Sequence, residues 1–408
     1  MTKKQHIWGI IWGVSFVWFT THFGGGFASG AQIYSYFVRF GIWALFMPAL
    51  AMAYNAFFFA YALRFARKHG VYDYKSYNDA FYGKFSPIFS NLFELLYLCV
   101  MCVAPAVAFA TGGATLSTLT GLPYLLCTLL IGAFIFVIAV FGTDLVRKVA
   151  SVLSICIIVG LLIVYIPNII HGKQAIADAA NTMTAAHLPF GKALYSAFLY
   201  GTFQLANIAV FVQHAKSFEK PNHAISSMVI GGIINSLLMI MVVLGIMTVY
   251  TNADLATQSV PTLFMVQNGT GKEVLVPLIS VLIILGSVST AVNMVAAMVT
   301  RIDAGIHRMQ CQKMVSDNPN TAKNNSKTTV SADAGKENEQ KITGHELVIA
   351  FVCCLIDFGI AQFGLLTLIQ RAYSILAYLA IPVILIPYIV HMIATRMDTK
   401  DRTDSVKQ

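Results

Sequence analysis

Apolar stretches long enough to cross a hydrocarbon core of ~30 Å recur along almost the whole 408-residue chain. Inside lipid every backbone N–H and C=O must be satisfied within the protein, and segments of this length achieve that as α-helices. The sequence predicts an all-α polytopic membrane protein with ten spans, at 7–37, 42–66, 87–111, 121–141, 146–168, 191–214, 224–250, 273–300, 344–361 and 367–394. Only 11% of residues are charged, against about 25% in a soluble domain, so the lipid bilayer is the first partner.

Two spans carry a break at their middles. The first holds Gly24-Gly25-Gly26-Phe27-Ala28-Ser29-Gly30, and the sixth holds Leu199-Tyr200-Gly201-Thr202-Phe203-Gln204. Glycine inside a helix costs helix stability and frees backbone groups. At bilayer depth such a break persists only against protein or a watery cavity. Interrupted spans at matching places in two halves point to a transporter's binding site.

Charge sets the expected orientation. With a cytoplasmic N-terminus, 22 of the 27 Lys and Arg fall on inner segments, leaving Arg39, Lys173, Lys192, Lys272 and Arg371 outside. That asymmetry predicts a multi-pass protein of the cell (plasma) membrane with both termini in the cytoplasm. It also accounts for the net charge of +9 without a nucleic-acid partner. The seven cysteines form no disulfide or metal framework; Cys99 and Cys102 make a CxxC, but on a lipid-embedded helix.

The layout divides into a first five-helix repeat (1–170), an extracellular loop (171–190), a second five-helix repeat (191–396) and a cytoplasmic tail (397–408). Five spans per block make the second enter the membrane from the opposite side, a 5+5 inverted repeat. Residues 310–343 are polar with almost no large apolar side chain, and read as a disordered cytoplasmic loop. The stretches 174–186 and 254–266 are each long enough for a short helix, with Pro261 suited to start one.

The glycine break and this layout resemble the LeuT fold of the amino acid–polyamine–organocation (APC) superfamily. More narrowly, Gly26-Phe27-Ala28-Ser29-Gly30 resembles the signature of the YkvI-like bacterial membrane proteins, regarded as amino acid permeases. Those proteins often follow the motif with Gln-Glu, whereas this chain has Ala31-Gln32. The resemblance implies that hydroxyls of the eighth span, Ser289 and Thr290, join a first-span carbonyl such as that of Phe23 around Na+. Hard oxygen donors suit that ion, although hydroxyls also bond their own helix.

From the residues themselves, the donors of Gly25, Gly26, Phe27 and Ala28 are candidates for a substrate carboxylate, with Gly24 beside them in the substrate site. Thr21, His22 and Phe23 expose carbonyls suited to an ammonium or a cation. In the sixth span, Gly201 is the expected break, Thr202 and Gln204 are polar candidates, and Tyr200 and Phe203 can cover an apolar side chain. Tight helix packing is the competing reading of every one of these glycines. His22 abuts the break and is a candidate proton carrier. Glu94 and Asp357 lie at membrane depth; Glu94 is expected to snorkel or to pair with Lys84 or Lys148.

The function expected is a secondary active transporter, a symporter of a small amino-acid-like or amine solute, working by alternating access. Coupling falls to Na+ or H+, because no GxxxxGK[ST] loop for ATP is present and no other cofactor is implied. A solute-sensing protein that binds without transporting is the alternative. A membrane-embedded enzyme would need clustered catalytic groups, and no span contains them.

Overall fold

The protein is described by a computed structural model covering residues 3–141, 143–317 and 344–398. The first span is divided into α1 (Lys3–His22), α2 (Gly25–Ala28) and α3 (Ala31–Tyr36). There follow α4 (Met47–His69), α5 (Tyr74–Tyr82), α6 (Ser86–Thr120), α7 (Tyr124–Phe141), α8 (Thr143–His171) and α9 (Lys173–Ala185). The second half runs α10 (Phe190–Gln204), α11 (Ile208–Phe211), α12 (Asn222–Met247), α13 (Pro261–Gln267), α14 (Lys272–Asp317) and α15 (Gly344–Ala361). The last span holds α16 (Leu365–Thr367), α17 (Tyr373–Ala380) and α18 (Ile386–Ala394), joined through π-helical turns.

Eight described helices are long and apolar enough to cross a membrane, and a ninth if Ile155–His171 and Lys173–Ala185, bent by 78°, count as one span. The protein is therefore a multi-pass membrane protein. Of the ten expected spans, the remaining one is 7–37, which its glycines cut into helices of 20, 4 and 6 residues. Helix α12 packs on α1 and α4, α14 on α6, and the short α2 is held between α14 and α6.

Two expectations change. The polar loop placed over 310–343 begins as helix, because α14 runs on to Asp317. Gln310 to Met314 are acceptable helix formers, and extending an existing helix is far cheaper than nucleating one. Residues 318–343 lie outside the described residues, as does the tail beyond Asp398.

The second change is at Gly201, where the sixth span does not break. Residues 190–204 are continuous helix, tightening to a 3-10 turn at 205–207. Gly201 serves close packing instead: a Cβ there would meet the Tyr54 ring of α4 at 2.6 Å. The tightening sends the Leu205 N–H to the Thr202 carbonyl, and Asn55 Nδ2 donates to the Gly201 carbonyl at 2.7 Å. Gly201→Val is expected to cost about 1–3 kcal/mol through overpacking. Thermal unfolding in detergent measures this, and an unchanged midpoint contradicts the packing.

The loop helix α13 begins at Pro261, as expected from that residue, and its first turn meets the first span. The chain turns at Gly30 (φ 77°), a left-handed conformation that favours glycine. This second interruption frees the Ser29 carbonyl, which accepts from the Thr262 N–H at 2.9 Å. Tyr165 holds Thr262 in turn, hydroxyl to hydroxyl at 2.8 Å.

Candidate functional site

Helix α1 stops at His22 because the Gly24 N–H turns back to the His22 carbonyl, at 2.9 Å, instead of continuing the ladder. Gly24 is extended (φ −94°, ψ −178°), and α2 restarts with Phe27 and Ala28 both donating to the Gly24 carbonyl. Among the described residues the carbonyls of Thr20, Thr21 and Phe23 therefore gain no main-chain donor, whereas that of His22, expected to be exposed, is taken by Gly24. Gly25 and Gly26 are first-turn N–H groups without an intrahelical acceptor. Gly25 has no room for a side chain: a Cβ would lie 2.7 Å from Ser287 Oγ and 2.9 Å from Thr111 Oγ1.

The carbonyl end of the break opens onto a cavity of about 600 Å³, whose wall includes Thr20, Thr21, Phe23, Ser289, Thr290 and Asn293. Thr290 Oγ1 donates to the Gly286 carbonyl at 2.9 Å, which leaves its lone pairs free. A Cβ on Gly24 would stand 3.6 Å from that oxygen, so α14 faces the break directly. The arrangement offers hydroxyl and carbonyl oxygens to an ammonium or a hard cation.

Charged groups stand at the mouth of the cavity. Arg301 Nη1 donates to Glu94 Oε1 at 2.8 Å, and Tyr74 donates to the same carboxylate. The guanidinium lies over the Tyr74 and Tyr97 rings at 4.4 and 4.6 Å. Glu94 thus pairs with Arg301 of α14, and the expected pairing with Lys84 or Lys148 is corrected. Asp73 caps α5 by accepting from the Ser76 N–H at 2.9 Å. Burial pushes its carboxyl up, but the Ser76 bonds and neighbouring N–H groups outweigh this and hold it below the usual range.

On the other side of the break lies a filled polar and aromatic cluster. Asn235 Nδ2 donates to the Gly231 carbonyl at 2.8 Å, so its Oδ1 accepts from His22 Nδ1–H at 2.7 Å. His22 Nε2 then accepts from the Tyr200 hydroxyl at 2.5 Å, and Gln32 Oε1 stands 3.5 Å beyond. A second proton on the ring would reverse the chain, with His22 donating to Tyr200 and Tyr200 to Gln32. Phe27 packs edge-on to His22 at 5.1 Å. Tyr200 contacts Tyr36 and Phe37, and Phe203 stacks on Tyr373 at 4.6 Å.

The candidate residues thus fall into separate groups. Thr21, Phe23, Ser289 and Thr290 share the cavity, with Gly24 beside Thr290. His22, Phe27, Tyr200 and Phe203 share the cluster, while Gly25, Gly26 and Ala28 are buried in the break itself. Gly201 and Thr202 turn toward α4, where Thr202 meets the Tyr54 hydroxyl at 3.2 Å. Gln204 accepts from Asn207 Nδ2 at 2.6 Å. Asp357 is fully buried in α15, and neither carboxylate oxygen has a partner among the described residues.

Sequence reasoning missed Asn235, Asn55 and Arg301, and noted Gln32 only as a departure from a motif. A lone amide in a long apolar span was the available signal for both asparagines. Asn235→Leu should leave His22 Nδ1 buried and unpartnered, at a cost of about 1–3 kcal/mol. Thermal unfolding checks it, and a loss below a few tenths of that contradicts the assigned bond.

No family model and no curated protein sequence matches the chain. Its fold is similar to that of a manganese transporter from Eremococcus coleocola, solved in complex with an aromatic bis-isothiourea substituted compound. That likeness covers 97% of both chains with a TM-score of 0.50 at 15% identity. A mutant form of the same transporter matches over 97% of this chain and 90% of its own, with a TM-score of 0.48 and 15% identity. The first likeness shows that the two chains share a fold.

Proposed function

We propose that the protein is a secondary transporter that moves a small amino-acid-like or amine solute across the cell membrane by alternating access. The observation that carries this reading is a pair of cavities at opposite ends of the bundle, with the broken first span between them. Helix α4 separates the two ends: Arg39 precedes its start, and Tyr72 follows its finish 23 residues later. The cavity at the Arg301 end reaches the break, and a second cavity of about 440 Å³ lies at the Arg39 end. Tyr36, Tyr200, Phe203 and Tyr373 pack between them.

The helix layout supports a LeuT-like arrangement of ten spans in two inverted groups of five, with kinship to the amino acid permeases of the APC superfamily. The Lys and Arg asymmetry supports cytoplasmic termini, which puts the Arg301 end inside. The cargo we propose differs from the metal named for the structural relative. Among the described residues, no three His, Cys, Asp or Glu side chains come together as a metal site. Coupling to Na+ would use the Phe23 carbonyl, Ser289 and Thr290. Coupling to H+ would use His22, and the reversible chain through Tyr200 to Gln32 favours keeping that second reading.

The test is a thermal-shift screen of the purified full chain against amino acids, amines and nucleobases, with and without sodium and at two pH values. A native-state ligand at 100 times its Kd stabilises by about 2.7 kcal/mol. An amino acid or amine is expected to raise the unfolding midpoint, and the rise is expected to depend on sodium or on pH. No shift with any amino acid or amine contradicts the reading.

A further inference from the structure

The cavity at the Arg39 end has a composition that the transport reading alone does not require. Arg39, Lys192 and Arg371 all line it, and no acidic side chain does. Sequence counting leaves five cations on this side of the protein, and three of them meet here. None forms an ion pair among the described residues; Arg39 only rests on the Phe40 ring at 5.1 Å. Three like charges around one recess repel each other, so they are a standing cost that an anion would offset.

Ser35 supplies a second, independent observation. It lines the same cavity, is only 4% exposed, and its Oγ has no hydrogen-bond partner among the described residues. A buried hydroxyl without a partner is uncommon, and at a cavity wall it marks a place for a ligand's polar atom. The floor is Tyr36, whose ring touches Tyr200 at 5.3 Å and Phe203 at 6.1 Å. The recess therefore stands directly over the aromatic plug.

We infer that this recess is an entry site for the carboxylate of the incoming solute. The three cations concentrate carboxylates at the mouth, the guanidinium forks orient them, and Ser35 donates to one as it settles on Tyr36. The inference rests on the transport reading and narrows its cargo to solutes that carry a carboxylate. A bare amine would be repelled at this end.

The test labels the vestibule directly. Ser374 also lines the recess, and Ser374→Cys places a thiol there, with the unmodified protein as the blank for the native cysteines. Reaction rates are measured with 2-sulfonatoethyl and 2-trimethylammonioethyl methanethiosulfonate, each normalised to its rate with a free thiol. The sulfonate is expected to react faster by roughly tenfold or more, as local focusing of an anion predicts. Arg39→Gln, Lys192→Gln and Arg371→Gln together should bring the ratio near one; all three side chains are exposed, so the fold should hold.

Glutarate should slow labelling more than chloride or inorganic phosphate at matched ionic strength. A neutral or cation-favouring ratio, a ratio unmoved by the triple variant, or equal protection by chloride or phosphate overturns the inference. Labelling reads the recess without transport, so any of those results would leave the transport reading standing. That reading falls only with the solute assays.

Discussion

Ser289→Ala combined with Thr290→Val is expected to weaken cation-dependent solute binding by roughly 100-fold or more. Each hydrogen bond or ligand contact to a charged group is worth about 1.5–3 kcal/mol, and the pair is removed together. The variant should fold normally. Thr290 gives its proton to its own helix at Gly286, and Ser289 is half-buried on the cavity wall. Isothermal titration with and without sodium measures the effect. If the wild type binds with equal affinity in both buffers, sodium coupling is wrong and the pH-driven alternative through His22 moves ahead.

The second large effect is expected at Tyr200. Truncation to Ala removes a fully buried ring from the plug and the hydroxyl that bonds His22. A loss of about 3–5 kcal/mol is expected for Tyr200→Ala, against about 1–3 kcal/mol for Tyr200→Phe, which keeps the ring. The two variants should also separate in function. Tyr200→Ala opens the packing between the two cavities and should leak solute down its gradient, whereas Tyr200→Phe should keep the barrier. Efflux from loaded proteoliposomes distinguishes them, and equal tightness of both contradicts a plug at this position.

The helices and the first break were legible because their signals are local. Three consecutive glycines weaken a long apolar helix at one point, and the freed carbonyls of Thr21 and Phe23 follow from that break. His22, also expected to expose its carbonyl, gives it to the Gly24 N–H instead, and Thr20 was not foreseen. Gly201 carried the same local signal and gave the opposite outcome. The deciding contact is the Tyr54 ring, almost 150 residues away in sequence, so glycine there reads equally as break or as packing.

The same distance hid the partners of charged and polar groups. Glu94 meets Arg301 across 207 positions, and His22 meets Asn235 across 213. Nearby lysines were the only candidates a linear reading could offer for Glu94. The three cations of the recess at the Arg39 end were individually visible as exceptions to the expected inward bias of Lys and Arg. Their convergence on one cavity depended on how the ends of the first, sixth and tenth spans come together.

Solute counterflow tests the central claim most directly. Purified protein is reconstituted into proteoliposomes loaded with the amino acid that most raises its unfolding midpoint, and labelled solute is added outside. The account predicts a transient accumulation of label above equilibrium, abolished by Ser289→Ala with Thr290→Val where sodium is the coupling ion. Stable binding of the same solute with no counterflow would contradict it, and would make the protein a sensor rather than a carrier.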